Sequence, residues 1–293
     1  GQLGSLLSEA AKKINIKTTI YCDDIDAPAQ NFCDEFIFGS YGDKEKILEF
    51  TNKVDLITYE FENIPFETLS EMNKLKTVLP KPSVNRLIQH RLAEKDFINK
   101  LNIRTTRYVS IEKESDIQKL EDFLPGILKT TTMGYDGKGQ YPINKIEDLA
   151  SLNIDFSKGY ILEKLVKLKK EISVIITRFG INKYEIYEPI ENMHQNQILK
   201  YSKIPAEISN KTLSLSKDWT ITIAEELKYI GTMCVEFFID RNENLYVNEI
   251  APRVHNSGHL TINAYNVSQF ENHVRAVCSM EKIPLKKISN AKM

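Results

Sequence analysis

The chain has 293 residues, a formal net charge of -1, 42% hydrophobic residues and 27% charged residues. This length allows two or three domains with cores of their own, and the near-neutral charge excludes a basic footprint for nucleic acid or for an anionic membrane. The sequence shows no apolar run as long as a membrane span, no signal peptide and no metal or redox spacing among its four cysteines. These features predict a cytoplasmic protein with reduced thiols.

The first 82 residues alternate short apolar runs with amphipathic helices, which predicts an α/β domain built on a parallel sheet. Gly1–Gly4 opens the first helix, and a helix N-terminus there would suit an anion such as phosphate. Val54–Phe61 is predicted to be a strand that brings Glu60 and Glu62 to its carboxyl end. Ligands of such sheets bind beyond the carboxyl ends of the strands, so both glutamates are candidate binding residues.

A boundary is predicted at Lys81–Ser83, where Pro82 starts a pair of helices that runs to Lys100. Arg91 and Lys95 lie on the second of these helices. From the sequence alone, either side chain could face solvent or reach into a cleft.

A glycine-rich loop follows the predicted strand Gly126–Thr130. It contains Gly134, Gly137 and Gly139, and its backbone N–H groups could approach phosphate oxygens. Lys129 at the end of the strand would add a positive charge for the same phosphates. The spacing fits neither a Walker A loop nor a dinucleotide fingerprint, and a simple hairpin turn is the alternative interpretation.

The strand Tyr160–Val166 offers an edge against which a nucleotide base could lie. Glu171, eight residues after Glu163, is predicted to begin the next strand and could accept hydrogen bonds from a ribose diol; a surface position at the strand end is the alternative. His194 is predicted to lie in a loop, and His273 to be structural.

Two apolar runs flank the polar turn Arg241–Asn244, which predicts a β-hairpin. If Asp240 pairs with Leu245, Glu236 lies opposite Glu249, and two opposed carboxylates are costly unless a cation lies between them. A hard divalent cation is the natural occupant; Asn248 or Asn256 could add an oxygen ligand, and substrate phosphates could complete the coordination. The alternative is an edge hairpin whose glutamates face water.

The loop Ala251–His259 follows this hairpin and contains Arg253, His255, Asn256 and His259. A purely structural loop rarely needs so many charged and titratable side chains. Because catalytic groups gather on loops held by a rigid scaffold, we expect this loop to form part of an active site.

Three motifs together resemble the N5-carboxyaminoimidazole ribonucleotide synthetase family of the ATP-grasp superfamily. They are Thr58–Asn63, Gly134–Gln140 and Asn248–His259, and the resemblance runs from Gly1 to about Cys278. It implies an α/β (α+β ATP-grasp) fold of three parts: an N-terminal Rossmann-like domain over 1–82, a helical linker and lid over 83–163, and a domain carrying the metal site over 164–293.

The resemblance also implies a reaction and its site residues. In this reaction, ATP and bicarbonate form carboxyphosphate, which carboxylates the amine of 5-aminoimidazole ribonucleotide in purine biosynthesis, with Mg²⁺ or Mn²⁺ as cofactor and a homodimer as the family's assembly. The implied ATP contacts are Arg91, Lys129, Gly134, Gly137, Gly139, Glu163, Lys164, Leu165, Val166, Glu171 and Asn248. The implied ribonucleotide contacts are Gln2, Leu3, Glu60, Glu62 and Tyr135. The implied catalytic residues are Asp136, Lys138, Arg253, His255 and Asn256, and the implied metal ligands are Glu236 and Glu249.

The chemistry of these residue types agrees with the resemblance. Lys129 and Arg253 could spread the charge of phosphoryl transfer to bicarbonate, and a closing glycine loop would protect carboxyphosphate from water. Either His255 or Asp136 could take the proton of the attacking amine.

The chain also departs from the family pattern. Its glycine-rich opening is short, Thr131 and Thr132 stand where a basic residue is expected, and the family continues beyond Met293, so we expect a sequence truncated at both ends. Two alternatives remain: another ATP-grasp ligase, of the formate-using ribonucleotide transformylase or biotin carboxylase type, and an ATP-binding relic without turnover. The stretches Glu60–Asn63 and Arg253–His259 argue against the other ligases.

Overall fold

A computed structural model of the protein describes residues 1–132, 139–150, 152, 154–195 and 198–293. The N-terminal segment contains α1 (Gln2–Lys13), β1 (Thr19–Cys22), β2 (Glu35–Phe38), α2 (Lys44–Asn52) and α3 (Phe66–Leu75). β1 and β2 pair in parallel, as the alternation predicts. The side chain of Asp43 accepts hydrogen bonds from the first turn of α2 and so fixes where that helix begins.

The predicted strand Val54–Phe61 is wrong as a regular strand. Only Ile57 makes a parallel bridge, to Val78, through hydrogen bonds with Thr77 and Leu79. The apolar residues of this segment still enter the core, where Ile57 and Tyr59 are buried beside Leu69. Burial, and not continuous strand pairing, accounts for the apolar pattern in this segment.

Two helices connect this segment to the rest of the chain: α4 (Pro82–Ile88) and α5 (Arg91–Lys100). A four-stranded antiparallel sheet follows, in the order β3-β6-β4-β5. Its elements are β3 (Tyr108–Ile111), β4 (Gly126–Thr130), β5 (Gln140–Ile143), α6 (Ile146–Ala150) and β6 (Tyr160–Lys164). Two short 3-10 helices, Glu114–Lys119 and Glu121–Phe123, lie between β3 and β4, and between them Leu120 is fully buried.

The largest sheet has seven strands within the described residues, in the order β12-β11-β7-β9-β10-β13, with β8 also pairing with β7. The elements of this region are β7 (Leu168–Gly180), β8 (Lys183–Ile186), β9 (Ile190–Gln195), β10 (Ile198–Ile204), α7 (Asn210–Glu226), β11 (Gly231–Asp240), β12 (Leu245–Ala251), α8 (Thr261–Ala264), α9 (Gln269–Val277) and β13 (Ala291–Lys292). The two-residue strand β13 pairs with β10, so the last residues of the chain also contact this sheet.

The two faces of this sheet differ in chemistry because side chains alternate along each strand. One face is apolar: Ile172, Val174 and Phe237 belong to the largest hydrophobic cluster, with α7 packed against it. The other face carries Ser173 and Glu236, which lie directly opposite each other on β7 and β11. The site described below is built on this second face.

His273 of α9 links the N-terminal segment to the large sheet. Its Nδ1 accepts from the Thr232 backbone N–H at 3.0 Å, and its Nε2 lies 2.7 Å from Thr58 Oγ1. The ring is fully buried, and burial lowers the pKa of His273 to about 4. None of the helices in the described part of the chain has the length and apolarity that a bilayer span requires.

Candidate active site

Glu236 and Glu249 lie directly opposite each other on β11 and β12. The predicted pair is confirmed, but the predicted register is wrong: Ile239, and not Asp240, pairs with Leu245, while Asp240 N–H donates to Asn244 O. A bulge between the Phe237–Val247 pair and the Glu236–Glu249 pair restores the alignment of the two glutamates.

Asn248 is the extra residue of this bulge. Without it, the alternation of β12 would place Glu249 on the same face as Val247, which belongs to the apolar cluster. The bulge therefore turns Glu249 toward Glu236.

His255 contacts the first of these carboxylates. Its Nε2 lies 2.8 Å from Glu236 Oε1, and its Nδ1 lies 2.9 Å from Ser257 Oγ. Burial alone would lower the pKa of His255, but Cys234 and Glu236 raise it well above its usual value. His255 thus already contacts one of the paired glutamates through a ring nitrogen.

Gln269 of α9 holds the loop that carries His255. Its Oε1 accepts from the His255 backbone N–H at 3.0 Å, and its Nε2 donates to the His255 carbonyl at 2.6 Å. A Cβ at Gly258 would lie 2.4 Å from the Gln269 amide, so only glycine permits this close approach. Gly258 is thus required in this loop for packing.

Arg91 faces the second carboxylate, with NH1 3.7 Å from Glu249 Oε2. Burial and the neighbouring Glu236 raise the pKa of Glu249. Glu94, one turn along α5, is buried and accepts from the Ile250 backbone N–H at 2.6 Å. Burial and Glu249 raise the pKa of Glu94 to about 8. The carboxyl groups of Glu94, Glu236 and Glu249 therefore compete for the positive charge available at this site.

Lys129 lies at the end of β4, as predicted, and its Nζ is 3.0 Å from Glu163 Oε1. Lys95 is 3.3 Å from the other oxygen of Glu163, and it donates to Thr105 and Thr106. The sequence did not decide whether Lys95 faces solvent or a cleft. In the structure its side chain is 1% exposed and points into the protein. Although burial would raise the pKa of Glu163, the two lysines lower it to about 2.

Glu171 lies within β7 and not at its start, and its Oε2 is 2.5 Å from His194 Nδ1. His194 was predicted to be a loop residue, but it belongs to β9, which pairs with β7. The hydrogen bond to Glu171 raises the pKa of His194, although burial opposes it. Sequence reasoning missed this pair because the two residues, 23 positions apart, become adjacent only on neighbouring strands.

The N-terminal segment supplies the opposite wall. Arg253 Nε donates to Glu62 Oε2 at 3.0 Å, so the loop after β12 contacts a residue of the first motif. Glu60 Oε1 lies 3.2 Å from the Gly1 nitrogen and 3.0 Å from where a Cβ of Gly4 would stand, which places this carboxylate at the start of α1 beside Gln2 and Leu3. A cleft runs between the two walls. Its lining residues are Glu62, Asn63, Asn85, Ile88, Gln89, Arg91, Glu94, Thr132, Glu249, Ile250 and Ala251.

Several other predicted residues occupy peripheral or undescribed positions. Gly134, Tyr135, Asp136, Gly137 and Lys138 lie outside the described residues. Gly139 has a φ of 71° and its carbonyl accepts from Thr130, so it closes the antiparallel β4–β5 pair. The segment Glu163–Val166 leaves the sheet at its end, with Leu165 exposed and Lys164 Nζ bound to the Asp122 carbonyl. Asn256 is exposed at the start of the 3-10 helix Asn256–Leu260.

The donor set fits a divalent cation in one respect and differs in another. Two opposed carboxylates suit a hard cation, His255 contacts one of them, and Arg91 holds positive charge beside the other. Within the described ranges, however, no group of three or more His, Cys, Asp or Glu side chains could hold a metal ion. A cation bound here would therefore take ligands from elsewhere, as Mg²⁺ does when it bridges carboxylates and substrate phosphates.

Comparisons with known proteins agree with this architecture. A sequence model of the ATP-grasp domain matches residues 96–270, and one of the ribonucleotide synthetase preATP-grasp domain matches residues 1–89. The N5-carboxyaminoimidazole ribonucleotide synthase of Staphylococcus aureus (strain COL) is 38% identical over 280 residues, covering 94% of this chain and 74% of that protein.

Two solved structures are similar over nearly the whole chain. The N5-carboxyaminoimidazole synthetase from Staphylococcus aureus complexed with ADP matches with a TM-score of 0.93 at 36% identity, covering 100% of this chain and 79% of that one. The N5-carboxyaminoimidazole ribonucleotide synthetase from Thermus thermophilus matches with a TM-score of 0.90 at 32% identity, covering 99% of this chain and 79% of that one.

The fold, the cleft and the facing carboxylates define an enzyme of the ATP-grasp class. Within that class the identity extends through the N-terminal segment as well as the ATP-grasp domain. The chain belongs to the N5-carboxyaminoimidazole ribonucleotide synthase family.

Proposed function

We propose that this enzyme is an ATP-dependent carbon–nitrogen ligase that forms carboxyphosphate from ATP and bicarbonate, and then carboxylates the exocyclic amine of 5-aminoimidazole ribonucleotide. The observation that carries the proposal is the opposition of Glu236 and Glu249, the second of which lines the cleft. Basic residues line the same region, which suits a nucleotide's phosphates. The similarity to a synthetase crystallised with ADP supports ATP as the nucleotide.

The ATP site is proposed to lie between the four-stranded sheet and the large sheet. Arg91 and Lys129 would bind the phosphates, and Glu163 would hold Lys129 in place, since its side chain pairs with that lysine. The backbone of Glu163–Val166 would hold adenine, Glu171 with His194 would face the ribose, and the loop with Gly134, Gly137 and Gly139 would cover the phosphates.

Glu236 and Glu249 would hold Mg²⁺ or Mn²⁺, with Asn248 beside them on the bulge. When bound, the cation would neutralise phosphate charge during phosphoryl transfer. Arg91 would orient the phosphate on the Glu249 side, and Arg253 would draw bicarbonate toward the same end of the cleft. Both arginines are already placed by carboxylates, which limits how far they must move on binding.

The acceptor site is proposed to lie against the N-terminal segment, with Gln2, Leu3, Glu60, Glu62 and Tyr135 around the ribonucleotide. The amine attacks the carbonyl carbon of carboxyphosphate, inorganic phosphate leaves with the bonding electron pair, and the nitrogen loses a proton.

The other catalytic residues are proposed to surround this reaction. His255 and Asn256 lie on the loop that carries Arg253, and Asp136 and Lys138 lie on the glycine loop. His255 and Asp136 are the candidate acceptors for the proton of the amine.

The same proposal divides the chain into domains over 1–82, 83–163 and 164–293, with a homodimer as the expected assembly. The sheets support a division near this point, since β6 ends at Lys164, one residue beyond the proposed boundary, and β7–β13 all follow it. Size measurement in solution by light scattering tests the dimer.

The decisive experiment measures ADP release with ATP, Mg²⁺ and bicarbonate, with and without 5-aminoimidazole ribonucleotide, and in bicarbonate-depleted buffer. We expect release to require bicarbonate and a carboxylated ribonucleotide to form. Stimulation by formate in place of bicarbonate would instead indicate a transformylase. ATP binding without any release would indicate a binding protein without turnover.

A further inference from the structure

A row of polar side chains crosses the large sheet on the face that carries the paired glutamates. Ser202 on β10 lies opposite Asn192 on β9, and Ser173 on β7 lies opposite Glu236 on β11, which in turn faces Glu249 on β12. The row therefore spans five consecutive strands of the sheet. Polar residues buried in a sheet are costly unless each one finds a partner.

These side chains form a continuous chain of hydrogen bonds that ends on His255. Ser202 Oγ donates to Asn192 Oδ1 at 2.8 Å, and Asn192 Nδ2 donates to Ser173 Oγ at 3.0 Å. Ser173 Oγ lies 2.7 Å from Ser257 Oγ, which lies 2.9 Å from His255 Nδ1. We call Ser202, Asn192, Ser173 and Ser257 the serine–asparagine chain.

The serine–asparagine chain is sealed from solvent. Its three serines are 0% exposed and Asn192 is 6% exposed, so no water competes for these bonds. Each amide atom of Asn192 has a protein partner, which fixes the direction of its Oδ1 and Nδ2. A buried network in which every member is satisfied is rigid and specifies one geometry.

His255 is thus held through both ring nitrogens, by Ser257 on one side and by Glu236 on the other. Outer partners of this kind orient the side chains that contact a metal or substrate, and removing them typically reduces activity by about 10–100-fold. We propose that Ser173, Asn192 and Ser257 are positioning residues, which fix the ring of His255 against Glu236 for the carboxylation reaction. This inference rests on the proposed function for its kinetic consequence, but its structural consequence is independent of it.

Ser173→Ala tests the proposal, because Ser173 is fully buried and its hydroxyl contacts Ser257, which in turn contacts His255. A matched control is Thr177→Val, four residues along the same strand: Thr177 Oγ1 makes a hydroxyl–hydroxyl bond of the same 2.7 Å length to Thr232 and is also 0% exposed. We expect kcat to fall about 10–100-fold in Ser173→Ala with the KM for ATP changed less than about twofold. Thr177→Val should lose similar stability yet keep its kcat, and equal kcat values for the two variants would overturn the proposal.

The same substitution in a His255→Ala background separates positioning from general damage to the site. Once the ring is absent, Ser173→Ala should change kcat less than about twofold, since residues that act as one unit are not additive. A full additional loss in that background would show that Ser173 does not act through His255.

An NMR readout is independent of turnover. The ring resonances of the five histidines can be assigned by single His→Gln substitutions, in protein with Mg²⁺ and ADP present. We expect one sharp set for His255 in the wild type and in Thr177→Val, and a shifted or multiple set in Ser173→Ala. An unchanged His255 set in Ser173→Ala overturns the positioning role even if the enzyme proves to use another acceptor. If the His255 resonances shift in Ser173→Ala as expected but the wild-type enzyme forms no carboxylated product, the positioning role stands and the proposed function is rejected.

Discussion

Glu249 faces Glu236 only because Asn248 is an extra residue in β12. The turn after Asp240 sets a register that puts Val247 against Phe237 in the apolar core, and the bulge then moves the next residues to the other face. The bulge in β12 is therefore the reason that the two carboxylates face each other. Such an irregularity fits the cation site proposed above, since a regular hairpin would bury Glu249 among apolar side chains.

Replacing Glu249 by glutamine should abolish turnover and leave the fold intact. The amide keeps the size of the side chain but removes the charge proposed to hold the cation, so we expect kcat to fall by more than about 100-fold, beyond the loss typical of an outer partner. Glu243→Gln, on the exposed turn of the same hairpin, is the matched control and should keep full activity. Wild-type turnover in Glu249→Gln would remove the metal assignment.

Binding of Mn²⁺ in the presence of ADP should weaken as the pH falls. Burial and Glu236 raise the pKa of Glu249, and only its ionised form can ligate a cation. Below that raised pKa, the apparent Kd should rise by up to about tenfold for each pH unit. Calorimetric titration from pH 7.5 downward measures this slope; an affinity that does not vary with pH would contradict the role of Glu249.

Glu163→Gln should destabilise the protein strongly. The substitution leaves the buried Lys95 and Lys129 without their shared carboxylate, and breaking a buried ion pair of this kind costs about 3–5 kcal/mol. Urea unfolding measures the loss in the free energy of unfolding. Glu226→Gln, an exposed glutamate of α7, should change stability by less than about 0.5 kcal/mol.

The buried His273 should make the protein less stable in acid. Its pKa is lowered from 6.5 to about 4 in the folded protein, so between these values the unfolded chain binds more protons. The free energy of unfolding should therefore fall as pH drops from 6.5 to 4, with His273 accounting for about 3 kcal/mol of the loss.

Urea unfolding of His273→Gln at several pH values measures this contribution. The His273→Gln variant should have a lower free energy of unfolding at neutral pH. On acidification, however, that free energy should fall by less than it does in the wild type. Equal losses in the two proteins would indicate that other groups account for the acid sensitivity.

The sequence by itself determined the class of the enzyme, the paired glutamates and the cluster of charged and titratable residues in the loop Ala251–His259. These features are readable because each depends on residue types at short spacing: a turn between two apolar runs, glycines after a strand, an arginine and two histidines within one loop. The helices α1 to α5 were predictable for the same reason. The run Val54–Phe61 was misread because an apolar pattern reports burial and does not distinguish a paired strand from a single bridge.

Only the tertiary structure decided which residues support that site. The pairing of Lys95 with Glu163, of His194 with Glu171 and of Ser173 with Ser257 each joins residues between 23 and 84 positions apart. No local pattern encodes such contacts, because they arise when strands, helices and loops distant in sequence pack against one another. The bulge at Asn248 is of the same kind: its function is set by the apolar core on one face and the polar row on the other, and both exist only once the sheet has formed.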